Sequence, residues 1–211
     1  MSDITIELYT DINCPWCLIG QHRLDKVLAD RFPEVSADVV HYPVFLMPDC
    51  PPEGVRIKDL LKSKYGIVDP TEAWARPEAE ARASGLDLDL SKQEWAFPTQ
   101  VAQTLVRVAR DKGTQHPLAV ALARAHFLDA RNISDVPTLI ELTRPYGFSA
   151  DEVTRLAADG EEIALTVREA AISAQHGVRS VPQFNFPGDI ILIGGRSEDE
   201  ISAAIKQALH S

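Results

Sequence analysis

The chain has 211 residues, of which 45% are apolar and 25% charged, and its formal net charge is −10 at pH 7. That length and balance describe a soluble globular domain, or one with a sizeable insertion, able to fold without disulfide staples. The acidic charge argues against nucleic acid or an anionic membrane as partner, and no apolar run approaches the roughly 18 residues that span a bilayer.

The first ten residues have no basic n-region, no apolar h-region and no small-residue cleavage site, so a cytoplasmic location is expected. Ile4, Ile6 and Leu8 alternate with Thr5, Glu7 and Tyr9, the period of a strand. Beyond residue 14 the period becomes helical through Cys17, Leu24, Val27, Leu28 and Phe32, until Pro33 stops it. The β-branched and aromatic run from Ala37 to Leu46 predicts a second strand. Strand, helix and strand at this spacing form a βαβ unit with a parallel pair.

From about 46 to 101 the chain is irregular and rich in proline and acid, which predicts short helices and loops. Helical stripes then follow: Val101, Leu105 and Val108; Leu118, Leu122 and Ala125 after Pro117; and Val153 and Leu156 behind a capping box of Ser149 and Glu152. A last stripe of Ile163, Val167, Ala170 and Ala174 ends at His176, with Gly177 in the C′ place. Phe184 and Phe186 begin a strand, Pro187-Gly188-Asp189 turns it, and Ile190 to Ile193 runs back as a hairpin. After Gly194-Gly195, Ser197 to Glu200 caps a final helix bearing Ile201, Ile205 and Leu209.

The terminal βαβ and ββα pieces are each too small to cover two sheet faces. They are expected to join as one α/β domain of residues 1–48 and 177–211, with residues 49–176 as a large all-helical insertion.

Asp11-Ile12-Asn13-Cys14-Pro15-Trp16-Cys17 holds two of the three cysteines, directly behind the first strand. In a cytoplasmic chain such a pair is expected to be catalytic or metal-binding rather than structural. Residues three apart share a helix face. Cys14 falls at the first turn, where unpaired N–H groups and the helix dipole favour a thiolate. Pro15 suits the first helical position, because its missing N–H would be unpaired there anyway. Cys17, one turn in, continues the apolar stripe. An exposed Cys14 is thus expected to attack, and a buried Cys17 to resolve the mixed disulfide. A closed zinc site needs four ligands, yet the only other cysteine is Cys50 and the six histidines show no paired spacing. The motif and its context favour redox over metal, with two incidental small hydrophobes as the bland alternative. Far along the chain, Val181-Pro182 precedes a strand, and this proline is either edge punctuation or a cis turn that presents backbone to a ligand.

Together, Cys14-Pro15-Trp16-Cys17 between strand and helix, and Val181-Pro182 before a terminal ββα, resemble the thioredoxin superfamily. The large helical insertion makes the chain similar to the DsbA-like oxidoreductases of the branch that includes 2-hydroxychromene-2-carboxylate isomerases and polyketide-associated proteins. Pro43 to Asp49, Glu53-Gly54, Lys64-Tyr65-Gly66, Gly177-Val178 and Gly194-Gly195 extend the likeness over nearly the whole chain. The resemblance implies a thioredoxin fold, Cys14 as nucleophile and Cys17 as resolver. It also implies a cis Pro182 beside them, and a Val181 backbone that pairs with an extended substrate. Two departures stand out. Where relatives carry Asn-Thr-x-x-Ala-His, this chain has Pro98 to Gln103. Where the isomerase and kappa-class glutathione transferase relatives use serine, it has Cys14, which favours dithiol chemistry.

Trp16 is read as a substrate platform, as a modulator of redox poise or as an exposed spacer, and Cys50 as an accessory thiol or a small hydrophobe. Asp11 and His41 are candidates for moving the Cys17 proton, set against a strand histidine that is merely satisfied; His22 is expected in solvent. The expected function is a cytoplasmic thiol–disulfide oxidoreductase without metal or organic cofactor. Its expected partner is a thiol or disulfide substrate, protein or small molecule, with glutathione as one candidate. A glutathione-dependent isomerase or transferase acting on an aromatic or polyketide-like molecule is the alternative, and a non-enzymatic redox sensor the second.

Overall fold

In the computed structural model, which describes residues 2–211, the alternating N-terminal segment is strand β1 (Ser2–Thr10) and the helical stripe is α1 (Pro15–Arg31). Strand β2 (Val35–Pro43) runs parallel to β1, with Leu8 opposite His41. It begins and ends earlier than the expected 37–46 for a local reason. Val44 N–H still bonds the Thr10 carbonyl, but Leu46 N–H turns to the Asp11 carboxylate at 2.7 Å and leaves the ladder.

The middle of the chain is not wholly helical. Strands β3 (Val55–Arg56) and β4 (Trp95–Ala96) pair antiparallel around helices α2 (Ile57–Tyr65) and α3 (Pro70–Ala83). Two-residue strands are too short for a period to be read, which is why the sequence pattern missed them. The helices α4 (Gln100–Val108), α5 (Gln115–Phe127), α6 (Val136–Thr143), α7 (Ala150–Ala158) and α8 (Gly160–Gln175) follow. The chain then returns as hairpin β5 (Gln183–Phe186) and β6 (Ile190–Ile193), and closes with α9 (Glu198–Ala208). The main sheet has the order β2-β1-β5-β6, with only the β1–β2 pair parallel. This is a mixed α/β thioredoxin fold with a large helical block set into it. Among the described residues no helix is long and apolar enough to cross a membrane.

One core lies on one face of the sheet, where Ile4, Ile6 and Leu8 meet Leu24 and Val27 of α1 and Ile201 and Ile205 of α9. A second fills the helical block around Leu105, Leu118, Leu122, Leu139 and Leu156. Helix α1 joins the two halves, since Leu18 and Ile19 on its other flank pack against Leu86, Leu88, Ala123 and Phe127.

Two expected patterns are redrawn by polar pairing. On α8 the inward residues are Thr166 and Ser173, while Val167 is 44% exposed. The Thr166 hydroxyl lies 3.0 Å from that of Thr104 and accepts from Arg107 Nε. A satisfied buried hydroxyl carries no apolar signature, so the stripe read from Ile163 and Val167 was out of phase. At α7, Ser149 accepts from Glu152 N–H, but the Glu152 carboxylate turns to Lys112 at 3.0 Å and leaves the capping box half made. The full box forms at Ser197 and Glu200.

Candidate active site

Cys14 is the N-cap of α1, with φ −101° and ψ 111°, and Pro15 occupies the first helical position. Its backbone N–H bonds Asp11 O at 3.1 Å, and its carbonyl takes the Cys17 and Leu18 N–H groups. These bonds hold the two sulfurs one turn apart, and both cysteines are free thiols. Cys17 is 1% exposed. Cys14 is 6% exposed rather than open to solvent as expected, because Val178, Val181, Trp16 and the stacked Tyr9–Tyr42 pair close round it.

The Val181–Pro182 peptide bond is cis. Cys14 Sγ lies 3.9 Å from Val181 O, to which its thiol donates. Pro182 packs against α1 at Gly20, where an added Cβ would come within 3.1 Å of Pro182 Cγ and 3.0 Å of Phe184 Cζ. Cys14, Pro15, Trp16, Cys17, Val181 and Pro182 are thereby gathered from two ends of the chain into one place.

Trp16 is half-buried rather than a bare exposed spacer. Its ring lies over Gly195, where an added Cβ would collide with Trp16 Cε3, and the Arg76 guanidinium sits 5.3 Å from the ring centroid. The ring therefore bridges the C-terminal turn and α3.

Burial pushes the Cys17 thiol well above its ordinary pKa, helped by the hydrogen bond and charge of Cys14, while the Asp11 backbone hydrogen bond works the other way and the Asp11 charge adds to the rise. Asp11 is itself buried. Desolvation raises its carboxyl to about 6 against hydrogen bonds from Leu46 N–H, Asn13 N–H, the Thr99 hydroxyl and the Ile12 backbone. Thr99 lies in the stretch that departs from the relatives' pattern, and Gln103 Nε2 from the same stretch donates to Thr10 O at 3.1 Å.

His41 belongs to another cluster. Its Nε2 is 2.7 Å from His116 Nδ1, whose Nε2 is 2.7 Å from Asp25 Oδ1. Burial, then the His116 charge, push the His41 pKa well down. His22 is not solvated as expected, since its Nε2 lies 2.9 Å from Ser84 O. Half-buried Cys50 donates to Ala96 O at 3.7 Å; burial, then the Asp11 and Glu53 charges, raise its pKa.

Beside Cys14 opens a cavity of about 340 Å³, walled by Trp16, Leu46, α2 and α3 and floored by Ala96, His126 and Phe127. A larger hollow of about 550 Å³ between β2 and α5 holds none of the redox residues. The sequence reading missed Asn13, His126 and Gly195; of these only Asn13, adjoining Cys14, carried a local signal. Among the described residues no group of three His, Cys, Asp or Glu is placed to hold a metal ion.

Residues 5–206 match the DSBA-like thioredoxin domain family. No curated protein matches the chain. Among solved structures, a probable DsbA oxidoreductase from Streptomyces coelicolor is 28% identical, with TM-score 0.86, over 99% of this chain and 91% of its own. The cytosolic disulfide reductase DsbM from Pseudomonas aeruginosa, solved with GSH, is 17% identical, with TM-score 0.68, over 98% of this chain and 100% of its own. A 2-hydroxychromene-2-carboxylate isomerase is 12% identical, with TM-score 0.73, over 96% of this chain and 95% of its own. The last two likenesses speak to fold alone.

Proposed function

The chain belongs to the DSBA-like thioredoxin domain family, and from that premise we propose that it is a cytoplasmic thiol–disulfide oxidoreductase whose dithiol is Cys14 and Cys17. The observation that carries this reading is the unequal pair at the head of α1. Cys14 caps the helix, with its sulfur against the Val181 carbonyl and next to the cavity. Cys17 is fully buried one turn in, hydrogen-bonded to the Asp11 backbone and within the field of its carboxylate.

In the reducing direction the Cys14 thiolate attacks one sulfur of a substrate disulfide, forms a mixed disulfide and expels a thiolate. Cys17 then attacks the Cys14 sulfur, the second thiolate leaves, and two electrons have passed from the dithiol to the substrate. Cys17 must lose its proton in this step, and its raised pKa makes that the demanding event. Asp11, ionised above about pH 6, takes that proton. A low-molecular-weight thiol, oxidised in turn, restores the dithiol.

The pair itself carries the electrons, so the reading requires no metal or organic cofactor. The Val181 backbone pairs with an extended substrate beside the cis Pro182, and Pro15 and Trp16 form the surface on which it rests. The substrate is a protein or small-molecule disulfide. Cytoplasmic placement is part of the proposal, is consistent with a cytosolic reductase among the structural neighbours, and is tested by fractionating cells that express the chain.

The test is reduction of hydroxyethyl disulfide and of insulin, driven by an excess of a small dithiol. Wild type accelerates both, and Cys14→Ser accelerates neither. Undiminished turnover in Cys14→Ser would defeat the reading.

A further inference from the structure

Three titratable side chains that the exchange chemistry does not use stand in one hydrogen-bonded line. Asp25 lies on α1, His116 on α5 and His41 on β2. Asp25 Oδ1 is 2.7 Å from His116 Nε2, and His116 Nδ1 is 2.7 Å from His41 Nε2. Gln115 clamps the His41 backbone beside them, accepting from its N–H at 3.1 Å and donating to its carbonyl at 3.0 Å. A carboxylate only accepts, so His116 carries its proton on Nε2 and offers Nδ1 as a lone pair. His41 therefore donates from Nε2, and its Nδ1 is left as an acceptor. That Nδ1 is buried and has no partner among the described residues. The line thus has a fixed direction, with both of its protons pointing toward Asp25.

A second orphan sits opposite. Gln21 is 2% exposed, and its Oε1 is likewise buried without a partner among the described residues. Cys17, Gln21 and Leu24 share one buried face of α1. Leu24 packs in one cluster with Leu8 and Val39. Leu8 pairs with His41, and Val39 and His41 point to the same face of β2. Helix α1 runs back against the two parallel strands it connects, so one turn toward its start is one step toward their ends. Gln21 lies one turn before Leu24, which sets its amide over His41. Both orphans accept, so neither satisfies the other while Nδ1 is bare. A proton on Nδ1 makes them donor and acceptor.

We propose that this line is a proton-operated switch: when the pair of rings takes up one proton, His41 changes from the Nε2–H to the Nδ1–H tautomer and donates to Gln21 Oε1, tying α1 to β2 one turn along from Cys17. One proton joins from solvent. The proton between the rings passes from His41 Nε2 to His116 Nδ1, and the added one stands on His41 Nδ1. The single positive charge rests on His116, against the Asp25 carboxylate, where the two side chains are 20% and 44% exposed. Burial, then the His116 charge, keeps His41 neutral in both states.

The surroundings leave the charge on His116 to Asp25. His116 borders two open hollows: one holds Asp38, Arg110 and Asp111, the other Arg124, Asp129 and Tyr146. These are mixed in sign, and Arg110 is engaged by Asp38 at 3.5 Å. From α1 the Cys17 thiol shares the Gln21 face, and β1 presents the apolar Leu8 to His41. Among the described residues Asp25 alone pairs with the His116 ring as a carboxylate. The switch stands apart from the dithiol reading, since neither state uses Cys14.

Nitrogen-15 NMR of the histidine rings reads tautomer and charge together, followed from about pH 8 to about pH 5, where histidine ordinarily changes charge. Wild type begins with His41 protonated on Nε2 alone. It ends with His41 protonated on Nδ1 alone, as His116 becomes protonated on both nitrogens. His41 keeping Nε2–H while His116 titrates, taking a second proton itself, or carrying Nδ1–H from the start overturns the proposal. Gln21→Met removes the acceptor at similar volume. It is expected to weaken proton uptake by His116 about three- to tenfold, the worth of one neutral hydrogen bond. Equal uptake in wild type and Gln21→Met overturns the proposal, and the wild-type titration answers alone if that variant does not fold.

Discussion

Around Cys17 and the first three turns of α1, nearly every inward side chain is buried: Leu18, Ile19, Leu24 and Val27 have almost no exposure. Across the cavity α2 is nine residues long and buries none of them, although Ile57, Leu60, Leu61 and Tyr65 all line the space beside Cys14. The difference divides the labour of the site. Sulfur exchange needs two thiols and a proton acceptor held in fixed relation, and that is the well-packed half. A wall with few buried contacts opens locally at low free energy, so it can admit substrates of different outline without disturbing the dithiol.

The sharpest way to break the comparison is a pair of core and wall truncations. Leu24→Ala removes a fully buried side chain and is expected to cost about 2–5 kcal/mol. Leu61→Ser in α2 is expected to stay within about 0.5 kcal/mol, while raising KM for apolar disulfides several-fold. Denaturant unfolding and steady-state kinetics measure both, and equal losses of stability would erase the distinction between the halves.

Asp11→Asn acts within the rigid half. Without a base beside Cys17 the resolving step is expected to slow roughly 100-fold above pH 7. The wild-type rate rises as pH passes about 6, and the variant lacks that rise. The stability linkage has its own sign. Burial raises the Asp11 pKa in the folded protein to about 6 from roughly 4 in the unfolded chain. The stability this lends is therefore complete below about pH 4 and is lost as pH climbs through about 6. Wild type should lose on the order of 3 kcal/mol across that window relative to Asp11→Asn, measured by unfolding at a series of pH values.

Gly195→Ala tests the seam between the two halves. Its Cβ would collide with the Trp16 ring, so the ring must move and Arg76 lose its stacking partner. The expected cost is about 1–3 kcal/mol, with a change in the Trp16 emission. The smallest effect belongs to hydrogen exchange: amides of α2 should exchange through local opening, well before those of α1.

The dithiol was legible because everything it needs lies within seven residues. The β1 alternation, the proline at the first helical position and the spacing of Cys14 and Cys17 are all local signals. Pro182 was legible only with the pattern of a known fold beside it. What stayed hidden was built from distant, polar partners. Thr166 and Thr104 satisfy each other across two helices, so an inward face read as polar. His126 is held through its carbonyl and ring by Gln93, 33 residues earlier. His41 is held by His116 and, through it, by Asp25, a chain no spacing announces. Gly195 reads as a strand breaker, yet its small size is set by a tryptophan at the other end of the sequence.

In the proposed exchange, Cys14 is the sulfur that meets substrate and Cys17 the sulfur that releases it. The direct measurement is mass spectrometry of Cys17→Ser after exposure to a small disulfide under native conditions. One substrate moiety is expected in disulfide linkage on Cys14, stable until a thiol is added, with no such adduct in Cys14→Ser. An adduct confined to Cys50, or none on Cys14 in the folded protein, would contradict that assignment.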